Sequence, residues 1–242
     1  VLAVKNSYYA YQINFGSLNA LEEFSKMSIQ KSEVRVSDLT SEPQFETEIT
    51  FQNVSYCFDK TDSFLLKDLN FKIPKNSMVV FVGASGSGKS TILDLISGII
   101  RPVSGSILLD HIDINNIKPL HKVKRVAYVG QDLPLFNDTI RNNITLCSSV
   151  ISESAIINVL KKVELDQLII GLDHGLDTKI QDGGKNFSGG ERQRICIARA
   201  LLMNPEIIVF DEVTSSLDFA TEAKIIEMLC MLKGQCTVIM VT

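Results

Sequence analysis

The sequence predicts an α/β fold: a mostly parallel sheet covered by helices, an antiparallel β flank near the N-terminus and a helical insertion at about residues 132–190. Three observations carry this reading. Short, β-branched apolar runs recur at Met78–Val82, Val126–Val129, Ile207–Phe210 and Thr237–Val241, bounded by turn or polar residues as buried parallel strands are. Segments with helical patterning, long enough to be crossovers, separate them. The first run feeds a glycine-rich loop and then Thr91–Ile96, which has helical periodicity.

Residues 1–47 differ in pattern from the rest. Phe15, Leu18, Leu21 and Phe24 fall at roughly helical spacing, and a polar stretch, Ser32 to Thr47, contains Pro43. This reads as a short helix followed by a linker, or as a terminal helix packed on the core. The main domain is expected over 48–242. It opens with strand-like spacing at Ile49, Phe51 and Val54, then Phe58, Phe64, Leu66, Leu69, Phe71 and Ile73, an antiparallel set.

Composition excludes several classes. Among 242 residues 45% are hydrophobic and 21% charged, as in folded globular domains and unlike disordered chains. Net charge is only −4 with no basic run, so nucleic acid is not an expected partner. Cys57, Cys147, Cys196, Cys230 and Cys236 are scattered without a C-x-x-C pair, which reads as reduced thiols rather than a disulfide or zinc framework. No apolar stretch approaches the ~18 residues that span a bilayer, and no signal-peptide pattern is present. The start at Val1 and the stop at Thr242, at the end of an apolar run, are read as cuts through a longer protein. His111, His121 and His174 have no carboxylate pattern around them and are expected on the surface, outside any catalytic role.

Gly83, Ala84, Ser85, Gly86, Ser87, Gly88, Lys89 and Ser90 fit G-x-x-x-x-G-K-[ST], placed between an expected strand and helix. Glycines let backbone N–H groups turn inward around phosphate oxygens, and the loop delivers the phosphates, with Thr91 just behind, to a helix N-terminus. Lys89 is expected to reach the β- and γ-phosphates and the Ser90 hydroxyl to ligate Mg²⁺. The other half of such a site needs a carboxylate at the end of a second buried strand. Ile207 to Phe210 leads into Asp211, the metal-side acid, and Glu212, placed to orient and deprotonate an attacking water. Phe187-Ser188-Gly189-Gly190-Glu191-Arg192-Gln193-Arg194 opens a third element, a helix whose bare N-terminus suits an anion.

These motifs together, over about residues 48–242, resemble the ATP-binding domain of ABC transporters, with Ser188 to Gly190 as the family's signature. The resemblance implies ATP and Mg²⁺ as ligands. It also implies adenine stacking on Phe58, where the family usually has Tyr, and a glutamine, Gln131, that senses Mg²⁺ and the γ-phosphate. Lys89, Gln131 and Glu212 form its catalytic set, and Ser90, Gln131 and Asp211 its metal set. Ser215-Ser216-Leu217-Asp218 matches a loop that crosses a dimer interface. Thr178 to Gly184 resembles the stretch that touches the membrane part of exporters, although Gln181 replaces a usual Gly, and Glu191 replaces the commoner signature Gln. By resemblance two such domains, in a homodimer or a pseudo-dimer, sandwich ATP between the P-loop of one and Ser188–Gly190 of the other. The segment before residue 48 then connects to a transmembrane domain in the same full-length chain, at the cytoplasmic face of a membrane. A histidine is expected directly after the strand that ends at Thr242. The alternatives are a soluble ABC ATPase of DNA repair or translation, whose coiled-coil or zinc insertion or second domain is not visible, and a nucleotide-binding module without turnover, against which Glu212 argues.

Overall fold

A computed structural model of the chain describes residues 45–58, 65–117, 125–148, 150–213 and 219–242. The chain divides into two compact units, Val1–Gln44 and Phe45–Thr242. The expected N-terminal helix, Phe64, His121 and the Ser215–Asp218 loop lie outside the described residues.

The second unit opens with an antiparallel sheet of order β2-β1-β4-β5. Its strands are β1 (Glu48–Tyr56), β2 (Leu66–Pro74), β4 (Ser104–Leu109) and β5 (Ile112–Asp113). The spacing that predicted β1 and β2 puts Ile49, Phe51, Val54 and Ile73 in the core, and Phe51 stacks on Phe71 at 4.2 Å. Strand β4 was not expected: it follows the phosphate-loop helix in the chain yet pairs with β1, Ile49 opposite Leu109. A bulge at Asn53, φ 49°, interrupts β1. Opposite it stands Gly105 at φ +80°, where a Cβ would lie 2.3 Å from the Asn53 carbonyl oxygen, so only glycine fits.

Residues Phe45 to Thr47, read from sequence as the end of the linker, are anchored to this sheet. Phe45 is fully buried. The Asp110 carboxylate, in a left-handed turn at φ 57°, accepts from Glu46 N (2.6 Å), Thr47 N (2.8 Å), Thr47 Oγ1 (2.6 Å) and Glu48 N (2.9 Å). Burial alone would raise its pKa; the Thr47 hydroxyl and the three backbone donors outweigh that and hold it at about 2.

The second sheet is parallel, of order β3-β8-β7-β6: β3 (Met78–Phe81), β8 (Thr237–Val241), β7 (Ile207–Asp211) and β6 (Val126–Val129). Ile207, Ile208, Val209 and Phe210 are each 0% exposed, contributing about 1.5–3 kcal/mol apiece to burial. The buried strands expected at Val126–Val129, Ile207–Phe210 and Thr237–Val241 are buried throughout as β6, β7 and β8. Strand β3 is more open, with Val80 43% and the following Val82 78% exposed; among the described strands it is an edge that pairs with β8 alone. Helices α1 (Lys89–Ile96), α5 (Gly189–Leu202) and α6 (Phe219–Cys230) accompany this sheet, Ile195 and Ile197 of α5 and Ile225 and Leu229 of α6 sharing one core with Ile208 and Phe210. Between β6 and α5 lie α2 (Ile140–Thr145), α3 (Glu153–Lys162) and α4 (Asp166–Ile170), in the stretch expected to be helical.

Candidate functional site

Strand register fixes the site. Phe81 lies beside Val241, Val241 beside Asp211, and Phe210 beside Val129. The chain therefore leaves β3 into Gly83, β7 into Glu212 and β6 toward Gln131 along one edge, the carboxyl end of a parallel sheet, where α/β proteins bind ligands.

The loop after β3 has the shape its glycines predict. Gly86 and Gly88 stand at φ 79° and 90°, conformations that a side chain would strain. A Cβ on Gly88 would also meet Leu66 Cδ2 at 2.7 Å. Gly88 is the N-cap of α1 and supplies no side-chain cap, and the first turn carries no acid, so neither a capping side chain nor an acid of that turn would compete with an anion for its amides. Lys89, 9% exposed, folds back with Nζ donating to Gly83 O (2.7 Å) and Ala84 O (3.1 Å). Its ammonium is thus held over the loop that would cradle phosphates. Ser85 and Ser87 are exposed on the loop, and Thr91 is buried in α1.

Ser90 Oγ donates to Asp211 Oδ1 at 2.8 Å across the gap between α1 and β7. Asp211 Oδ2 accepts from the Tyr128 hydroxyl at 2.7 Å. Hydroxyl and carboxylate together are a hard oxygen pair of the kind Mg²⁺ prefers, so the residues present fit that ion. Tyr128 escaped the sequence reading because it sits in an all-buried run; the available signal was a phenol in a buried strand, whose O–H must find a partner. Glu212 follows at φ 50°, left-handed and half-buried. Gln131 is exposed beyond β6. Phe58 is 59% exposed and meets Tyr56 edge to face at 5.3 Å, which makes it a surface ring and not a core one.

Ser188 caps α5 in a reciprocal pair: Ser188 Oγ accepts from Glu191 N (3.3 Å) and Ser188 N donates to Glu191 Oε2 (2.7 Å). Glu191 thus completes a capping box, a part that the commoner Gln can play as well. It also occupies the Ser188 backbone donor, so the anion-facing groups that remain are the Ser188 hydroxyl proton and the amides of Gly189 and Gly190. Gly190 packs so closely on α6 that a Cβ would meet Thr221 Cγ2 at 2.7 Å. His111 and His174 are exposed, as expected. All five cysteines are free thiols.

The stretch Thr178–Gly184 is tied to the loop that follows Gln131. Ile140 N donates to Thr178 O (3.0 Å), Ile180 N to Asp138 O (2.8 Å) and Gly183 N to Asn137 Oδ1 (3.2 Å). Arg199 of α5 reaches the same loop, donating to Pro134 O, Asn143 O and Asn143 Oδ1 at 2.8–3.1 Å. Among the described residues, no helix is long and apolar enough to cross a membrane.

Residues 66–215 match the family described as ABC transporter. The ATP-dependent lipid A-core flippase of Syntrophus aciditrophicus is 37% identical over 228 residues, 94% of this chain and 38% of its own length. The mitochondrial iron-sulfur clusters transporter ATM1 of Saccharomyces cerevisiae is 41% identical over 200 residues, 80% of this chain and 29% of its own. A solved bacterial Atm1-family ABC exporter with ATP bound superposes with a TM-score of 0.74 at 34% identity, over 87% of this chain and 38% of that one. This chain thus spans well under half the length of the relatives it matches. With the phosphate loop, the Ser90–Asp211 pair and the Ser188 helix disposed on one fold, the chain belongs to the ABC transporter family, of which it carries the ATP-binding domain.

Proposed function

We propose that this chain is the motor domain of an ABC exporter, working on the cytoplasmic face of a membrane. In this reading Gly83 to Gly88 and the first amides of α1 bind the phosphates of ATP, with Lys89 turning its ammonium from the Gly83 and Ala84 carbonyls to the β- and γ-phosphates. Phe58 offers an exposed ring for adenine. Ser90, Asp211 and Gln131 hold Mg²⁺, which when bound neutralises charge on the phosphate oxygens. Glu212 orients a water and accepts its proton as the water oxygen bonds to the γ-phosphorus and the bond to the β-γ bridging oxygen breaks, leaving ADP and phosphate.

The observation that carries the reading is the Ser90–Asp211 contact at 2.8 Å, which joins the phosphate loop to the acid-bearing strand at one edge. Coupling to a transmembrane partner rests on a second feature: Gln131 leads into a loop that is hydrogen-bonded to Thr178–Gly184, so a push on one is felt by the other. Ser188, Gly189 and Gly190 complete the site of a second such domain, which makes the active unit a dimer. The relatives named as a flippase and as exporters favour transport over a soluble role in repair or translation.

The test is Glu212→Gln in the full-length protein that contains this chain. Phosphate release should fall about 10²- to 10⁴-fold, the usual worth of a general base. ATP and Mg²⁺ should then trap a closed dimer, visible by size-exclusion chromatography of the isolated domain. Wild-type turnover in the variant would overturn the assignment of Glu212.

A further inference from the structure

Gln193 lies on α5, five residues into the helix that begins after Ser188, and is 0% exposed. Its Nε2 donates to the Val213 carbonyl oxygen. Its Oε1 is buried with no hydrogen-bond partner among the described residues. An amide buried with half its polar capacity unmet costs stability that an apolar side chain of the same length would not, so packing alone does not account for glutamine here.

What the donor holds is the residue after Glu212. Strand pairing ends at Asp211, opposite Val241, so the sheet no longer fixes the backbone beyond it. Glu212 then takes φ 50°, a left-handed conformation that a non-glycine residue keeps only when its surroundings over-determine it. On one side the β7–β8 ladder supplies that constraint. On the other, the Gln193 amide pins the Val213 carbonyl.

We propose that Gln193 is a positioning residue for Glu212: its side-chain N–H holds the Val213 carbonyl, fixes the backbone one residue past Glu212 and so aims the carboxylate, from the helix that also carries Ser188. The proposal rests on the role assigned to Glu212 above. It makes the placement of the base in one domain depend on the seating of α5, whose N-terminus is offered to the partner's ATP. Displacing a catalytic group by about 1 Å costs on the order of 10²-fold in rate, so a loosened Glu212 lowers turnover without touching nucleotide binding.

The experiment is Gln193→Met in the full-length protein, which keeps length and volume and removes the donor. Expected are a kcat reduced about 10- to 100-fold, a KM for ATP within about twofold of wild type, and a melting temperature close to that of wild type, since removal of the unmet Gln193 oxygen offsets the Val213 carbonyl left without its donor. In a Glu212→Gln background the same change should add little further loss, because the group it aims is already absent. An unchanged kcat, a kcat that falls only together with the melting temperature, or full additivity in the double variant would each overturn the proposal. Should Gln193→Met give no soluble protein, Gln193→Asn retracts the donor by one methylene and is read the same way. If Glu212→Gln itself turns over normally, the reading of the site fails and this proposal with it; if Glu212→Gln is impaired and Gln193→Met is not, only the tie fails.

Discussion

Asp110→Asn isolates a single charge at the point where the chain enters the domain. Asparagine accepts the left-handed φ of 57° at this position and nearly preserves shape, but one of its two polar atoms becomes a donor facing backbone N–H groups. The wild-type carboxyl is lowered from 3.8 to about 2. At about 1.4 kcal/mol for each pH unit, full conversion gives about 2.4 kcal/mol; the carboxylate is only partly buried, and discounting for solvent screening leaves about 1 kcal/mol. The sign follows from linkage. A folded-state pKa below the unfolded value contributes stability above about pH 4, and that contribution drains as pH falls from about 4 to about 2. Urea unfolding should therefore place the variant about 1 kcal/mol below wild type at neutral pH, with a melting temperature lower by about 2–4 °C, and the gap should narrow as the solution is acidified below about pH 4. Equal stability at neutral pH, or a gap that persists unchanged in acid, would refute the argument that the carboxylate's charge holds Glu46, Thr47 and Glu48 in place.

Two further outcomes concern the nucleotide. Lys89→Ala removes the buried ammonium beside Gly83 and Ala84 and should weaken ATP binding by about 1.5–3 kcal/mol, the worth of a charge-assisted hydrogen bond; unchanged affinity by calorimetry would displace Lys89 from the phosphates. Phe58→Ala should cost about 1–3 kcal/mol of ATP affinity through lost stacking and, because the ring is 59% exposed, should leave the unfolding midpoint nearly untouched. A stability loss with intact affinity would reassign the ring to packing on Tyr56.

The parts of this molecule that were legible in the sequence are those whose cause is local. A run of three β-branched residues and a phenylalanine announces β7 wherever it folds, and a glycine before Lys89 announces a left-handed turn because it enters that region at no steric cost. The missed features are bonds between distant segments. Strand β4 is defined by its pairing with β1, Leu109 opposite Ile49, and nothing within Ser104–Leu109 names that partner. Asp110 reads as an ordinary turn acid until Thr47, far back in the chain, folds onto it. Tyr128 looks like one aromatic in an apolar strand and Gln193 like one amide between two arginines; only the fold shows that the first donates to Asp211 and the second to the Val213 carbonyl, on either side of Glu212.

That pattern makes α5 the organising element of the site. Arg199 is held on this helix without a carboxylate among the described residues: burial lowers its pKa, yet a guanidinium does not surrender its proton in a protein. Its charge is carried instead by two backbone carbonyls and an amide oxygen, with the Phe136 ring 5.3 Å from its central carbon. Asn143 continues the chain of contacts, accepting from Phe136 N and donating to Phe136 O and Thr139 O. One helix thus caps itself at Ser188, fixes the backbone after Glu212 through Gln193, and grips the loop beyond Gln131 through Arg199. A lysine could not span the last of these, since a single ammonium cannot reproduce the fork that reaches Pro134 and Asn143 together. With these bonds kept, the helix cannot rotate or slide without disturbing the backbone beside Glu212, the loop and Ser188 at once, and under the function proposed above it is through such a shared rigid element that occupancy of one site would be felt at another.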